Sequence, residues 1–89
     1  MSAAPVTDRE ARALVLIGGY RSRHGRGPSF GRVGEELGLD ADGVGQLLRG
    51  LRLRALVSFT RAVGSLAVTA SGRESAVAWV ERRPAEPMP

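Results

Sequence analysis

Only three residues, Gly38-Leu39-Asp40, separate one helical pattern from the next, and this tight joint constrains the fold more than any other feature of the chain. Upstream of it, Ser29 is a natural N-cap, and Phe30, Val33 and Leu37 recur at helical spacing. Gly38 falls where a helix C-terminus needs a left-handed residue, and Leu39 returns toward the core. Asp40 caps the next helix, whose core face is Val44, Leu47, Leu48 and Leu51 and which runs to about Arg54. With 89 residues the chain is one domain's worth, near the lower end of what builds a core unaided. It is 43% hydrophobic but only 4% aromatic, so that core must be made mainly of Leu, Val and Ala.

The other elements follow from local signals. Thr7 and Glu10 form a capping box that opens a first helix running to about Arg23, with Val6 and Ala11 as its staple. Ala11, Leu14 and Ile17 point one way from this helix, whereas Ala13, Leu16 and Tyr20 point nearly the opposite way. A helix apolar on most sides is buried on most sides, which implies a second chain in so small a domain. A homodimer is therefore expected through Ala13, Leu16, Tyr20 and Trp79. His24-Gly25-Arg26-Gly27-Pro28 breaks the first helix. Within residues 56–69, LVSFT and LAVT read as a β-hairpin around Gly64, after which Thr69 or Ser71 starts a last helix. Residues 1–6 are expected to be flexible, 7–83 to form the domain and 84–89 to be disordered. The nine residues Leu14, Phe30, Val33, Leu37, Val44, Leu48, Leu51, Leu56 and Val68 are the expected core.

Several function classes are excluded. There is no cysteine and only one histidine, His24, so neither a metal site nor a cofactor is expected. Gly18-Gly19 lies in a helix, and the Gly25/Gly27 pair lacks the strand and the Lys-Ser/Thr of a phosphate loop. Glu35 and Glu36 are adjacent and diverge on their helix, and no Ser-His-acid spacing is supported, so the chain reads as a non-enzyme. No apolar run approaches the roughly 20 residues of a membrane span. The N-terminus has no basic and apolar leader pattern, which gives the expectation of a cytoplasmic protein.

The net charge is +4, and all 13 basic residues are arginine, which fits the codon bias of a GC-rich genome. Their placement is more informative. Both ends of the chain are balanced, and the excess lies in residues 21–61, where eight arginines meet four acids. A basic middle between neutral ends is the electrostatic footprint of a nucleic-acid surface.

The run EELGLDADGVGQLLRGLRLRALV resembles the segment from second helix through recognition helix into the wing of the MarR-type winged helix-turn-helix regulators. Leu39 after the turn glycine, Asp40 as small polar cap and Val44 four residues after the cap match that family's pattern. VTASGRES, residues 68–75, is similar to the family's exit from the wing, and GRGPSFGRVGEELG is similar to the entry of LexA-type repressors. The resemblance covers about residues 21–75. It implies a mainly α fold with a small β-hairpin: a three-helix core, a two-stranded wing and a closing helix.

It also implies a double-stranded DNA-binding transcriptional regulator, a repressor acting as a homodimer on a two-fold operator. Opposite Val44, the third helix projects Asp42, Gln46, Arg49 and Leu53. Gln pairs bidentately with adenine and Arg with guanine in the major groove. Asp42 and Gly43 belong to the helix N-terminus, where Asp42 either favours the dipole or accepts from cytosine. Arg26, Arg52, Arg54 and Arg61 are candidate phosphate contacts, and docking of the usual kind adds Ser29 and Arg32. Two alternatives stay open: a winged-helix module whose third helix meets a protein partner at Leu53, and an excision-type accessory factor that bends DNA.

Overall fold

The computed structural model describes residues 6–82. Of the ends expected to be flexible or disordered, residues 1–5 and 84–89 lie outside this range. Helix α1 spans Asp8–His24, α2 Phe30–Leu37, α3 Ala41–Leu53 and α4 Ala70–Arg82, with strands β1 Val57–Ser58 and β2 Ala67–Val68 between α3 and α4. The fold is thus helical with one antiparallel two-stranded hairpin, in which Val57 pairs with Val68 and Ser58 with Ala67.

Each boundary has a local cause. The capping box closes at the start of α1: Thr7 Oγ1 accepts from the Glu10 amide at 3.1 Å, and Glu10 Oε1 accepts from the Thr7 amide at 2.8 Å. Ser29 Oγ accepts from the Arg32 amide to start α2, and Asp40 Oδ1 accepts from the Gly43 amide to start α3. Gly38, at φ 70°, ends α2, and the Leu39 amide bonds back to the Gly34 carbonyl at 2.9 Å. Thr69 Oγ1 accepts from the Gly72 amide, so α4 is capped by Thr69.

The core gathers Ala11, Ala13, Leu14 and Ile17 of α1, Val33 of α2, Val44, Leu48 and Leu51 of α3, and Leu56, Val57 and Leu66 of the wing. Val6, expected in the flexible N-terminus, is buried with them. Six of the nine expected core residues, Leu14, Val33, Val44, Leu48, Leu51 and Leu56, are buried, and Leu37 and Val68 are partly buried against the cluster. Phe30 is not in it. At 39% exposure it sits on the surface, its ring edge-on to Phe59 at 5.1 Å.

The expectation that α1 needs a second chain to cover its far side does not hold for Ala13. Helices α2 and α4 and strand β2 all pack on α1, and this one chain covers Ala13 completely. A fully buried residue offers no surface to a partner, so Ala13 is not an interface residue. Leu16 is partly buried against the core, and Tyr20 is half-buried with its ring 4.2 Å from that of His24. Trp79 is half-buried and donates from Nε1 to Asp8 Oδ1 at 2.9 Å, tying the end of α4 to the start of α1. The apolar side chains left exposed on these helices are instead Val15, Val77 and Val80.

The wing is shorter than LVSFT and LAVT suggested. Beyond Ser58 the ladder gives way to side-chain bonds: the Thr60 amide donates to Ser65 Oγ at 2.9 Å, and Ser65 Oγ–H donates to the Thr60 carbonyl. Arg61, Ala62, Val63 and Gly64 form the tip.

Candidate nucleic-acid interface

Helix α3 divides cleanly by exposure. Val44, Gly45, Leu48 and Leu51 are buried, while Asp42, Gln46, Arg49, Arg52 and Leu53 are exposed. The face opposite Val44 therefore faces solvent as its periodicity predicts, and it carries an amide at Gln46 and a guanidinium at Arg49 one turn further on. Gly43 is half-buried, its amide held by Asp40, and a side chain there would crowd Asp40 Oδ1 at 3.1 Å and Leu39 at 3.5 Å. Leu53, at 89% exposure, ends the face with an apolar side chain left almost wholly to solvent.

Two further elements flank this face. At the start of α2, Ser29 is exposed, and Arg32 reaches Glu36 at 3.6 Å across an exposed i,i+4 pair, which holds it only weakly. In the wing, Arg61 is exposed at the tip. Arg26 lies beside the tip, since a side chain at Gly64 would meet its Cβ at 3.1 Å. The tip is anchored to the loop before α2 by the Gly27 amide, which donates to the Gly64 carbonyl at 2.9 Å. Arg21 Nη1 reaches the same carbonyl at 3.3 Å. Arg21 is a component of this arrangement that the sequence reading did not single out. Only its place in the basic stretch signalled it, because contact with the wing tip spans 43 residues.

Arg54 behaves differently from the other candidates. Its Nη1 lies 3.2 Å from both carboxylate oxygens of Glu10, joining the end of α3 to the start of α1. The guanidinium is about two-thirds buried and its charge is answered within the fold, so Arg54 is a tertiary clamp and not part of the exposed basic surface. By contrast, no carboxylate comes within ion-pair distance of Arg26, Arg49, Arg52 or Arg61 among the described residues. Arg52 instead lies over the Phe59 ring, 4.7 Å from its centroid.

Among the described residues no group of three metal-ligating side chains comes together, and no helix is long and apolar enough to cross a membrane. A concavity of about 610 Å³ between α1 and α2 is an open groove whose lining includes Val15, Leu16, Gly19 and Leu37.

Neither a protein-family model nor a curated protein sequence matches the chain. Solved structures do. A point mutant of MepR from a multidrug-resistant Staphylococcus aureus clinical isolate superposes with a TM-score of 0.70 at 17% identity, over 94% of this chain and 64% of that one. MepR itself, described as a transcription regulator of the S. aureus multidrug efflux pump MepA, gives a TM-score of 0.67 at 21% identity, over 85% of this chain and 56% of that one. RV1404 from Mycobacterium tuberculosis gives 0.60 at 21% identity, over 86% and 57%. The chain thus spans less than two thirds of the length of these proteins. At such identities the likeness speaks for architecture: the chain has the winged helix-turn-helix fold of the MarR-type regulators.

Proposed function

We propose that this protein is a transcriptional regulator that binds duplex DNA, inserting α3 into the major groove and using no catalytic chemistry. The observation that carries the reading is the solvent-facing side of α3, where Gln46 and Arg49 are exposed, the Arg49 guanidinium lying along the helix beside Gly45, with further exposed arginines in the wing tip and at the start of α2. Gln46 and Arg49 are the base-reading pair, and Arg26, Ser29, Arg32, Arg52 and Arg61 are the phosphate contacts. Asp42 serves the helix dipole. The fold shared with MepR, a transcription regulator, supports the assignment. We further propose that the protein represses transcription as a homodimer, the exposed valines of α1 and α4 forming the contact.

A gel-shift titration across a salt series tests this. Arg49→Ala and Gln46→Ala should each relax preference at one base position per half-site, by about 1–3 kcal/mol of discrimination. Arg61→Ala should weaken binding to all sequences alike and lower the salt slope by about 1 per half-site. The exposure of Leu53 favours one other reading, a protein-docking module. That module would bind DNA feebly, without sequence preference, and would ignore Gln46→Ala; this result would replace the DNA assignment.

A further inference from the structure

The two phenylalanines of the chain meet at the edge of the core, Phe30 exposed on the surface and Phe59 half-buried against the core cluster. Phe30 opens α2, Phe59 follows β1, and Arg52 lies in the last turn of α3, so three separate elements meet at the root of the wing. The Phe30 and Phe59 rings meet edge to face, with centroids 5.1 Å apart and planes at 84°. The Arg52 guanidinium carbon lies 4.7 Å from the Phe59 centroid, within cation–π range. No carboxylate competes for this guanidinium among the described residues.

The place of Arg52 on α3 says what this arrangement is for. It is three residues beyond Arg49, which turns it by about 60° around the helix from the Arg49 position. That takes it off the groove-facing stripe and toward the wing, the side on which a docked helix is bordered by the sugar-phosphate backbone. An unrestrained arginine side chain loses much rotamer freedom when it is fixed on a phosphate, and a planar guanidinium already stacked on a ring loses less. Arg52 stays exposed beside the ring, so the side chain remains accessible from outside the fold.

We propose that Phe59 is a positioning residue that holds Arg52, through a cation–π stack buttressed by Phe30, ready to grip a backbone phosphate of duplex DNA. The inference rests on the DNA-binding reading above. It adds that the wing acts on α3 as well as on DNA: part of its contribution is delivered through an arginine it does not carry.

The test is a double-mutant cycle on the full chain, read by gel shift on one specific and one unrelated duplex over a salt series. Arg52→Gln should weaken binding to both duplexes alike and lower the salt slope by about 1 per half-site. Phe59→Leu should weaken both roughly 2- to 5-fold per half-site, the effect of losing an exposed cation–π contact. The double variant should bind no worse than Arg52→Gln alone, and Phe59→Tyr or Phe59→Trp should restore wild-type affinity. If Phe59 matters only for packing, its loss will add in full to that of Arg52 and will track the melting temperature; that result, or an unchanged Phe59→Leu, overturns the inference while leaving DNA binding intact. If the wild-type protein itself binds no duplex in a salt-dependent way, the DNA-binding reading fails first and takes this role with it.

Discussion

At the scale of single residues, the structure makes Ala55 the most informative position outside the proposed interface. It has φ 59°, the only non-glycine at positive φ among the described residues, and it closes α3. The Ala55 amide bonds to the Arg52 carbonyl and the Leu56 amide to the Leu51 carbonyl, both at 2.9 Å, the paired bonds of a glycine-ended helix with alanine in the glycine position. A left-handed conformation costs an L-residue about 1–2 kcal/mol, partly offset in Ala→Gly by the greater freedom of glycine in the unfolded chain. Ala55→Gly is therefore expected to stabilise the protein by about 0.5–1 kcal/mol, seen as a rise of roughly 2–8 °C in thermal midpoint. No rise would mean that the strain is absorbed elsewhere. This position was legible in the sequence, since an alanine stands where a helix-ending glycine is usual. Phe30 and Arg54 were not. Phe30 keeps the helical spacing of Val33 and Leu37, but as the first residue of α2 it lies beside the wing, and its partner Phe59 is 29 residues away. Arg54 looked like one more basic residue because Glu10, which engages it, is 44 residues upstream.

At the scale of elements, glycine in helices acts with opposite signs at two places. A Cβ on Gly34 in α2 would lie 2.8 Å from both the Leu39 carbonyl oxygen and Val44 Cγ2, where α2 and α3 come closest. The backbone carbonyl cannot swing aside, so the roughly 1 kcal/mol that alanine gains in helix propensity is outweighed by overpacking. Gly34→Ala should destabilise by about 1–3 kcal/mol in chemical denaturation. Gly50 in α3 has open space where its Cβ would be, so Gly50→Ala should stabilise by up to about 1 kcal/mol. Equal effects at the two sites would contradict the described α2–α3 packing. Helix ends and core faces were readable because their signals are local: Thr7 with Glu10, Ser29, Gly38, Asp40, and the spacing of Val44, Leu48 and Leu51. The length of the strands was not. LVSFT and LAVT carry strand propensity throughout, but Thr60 and Ser65 satisfy each other's polar groups and end the ladder after two pairs. The face of α3 was legible for the same reason as its core side, being its complement at helical period.

At the scale of the whole molecule, the question is what the domain does with the apolar surface it leaves open. The sequence suggested a partner because α1 is apolar on most sides, yet α2, α4 and β2 all pack on that helix within one chain. What remains is Val15 at 51% exposure and Val77 and Val80 at 55% each, on α1 and α4, which pack together. The proposed homodimer thus rests on a narrower surface than periodicity implied, centred on these valines instead of Ala13. The domain measures 40 × 36 × 26 Å, so two copies in contact place their centres about as far apart as one of these extents. A two-fold pair reading two half-sites would have to set its α3 helices roughly 34 Å apart, one turn of duplex. Light scattering at micromolar concentration should give twice the 9.4 kDa chain mass, and Val77→Glu with Val80→Glu should give the single mass with an unchanged circular-dichroism spectrum. The same double variant should still bind DNA, but to a half-site and with about half the salt slope, because each domain keeps its own phosphate contacts. A wild-type monomer that nonetheless protects two half-sites one turn apart would shift the source of the two-fold symmetry from the protein to the DNA.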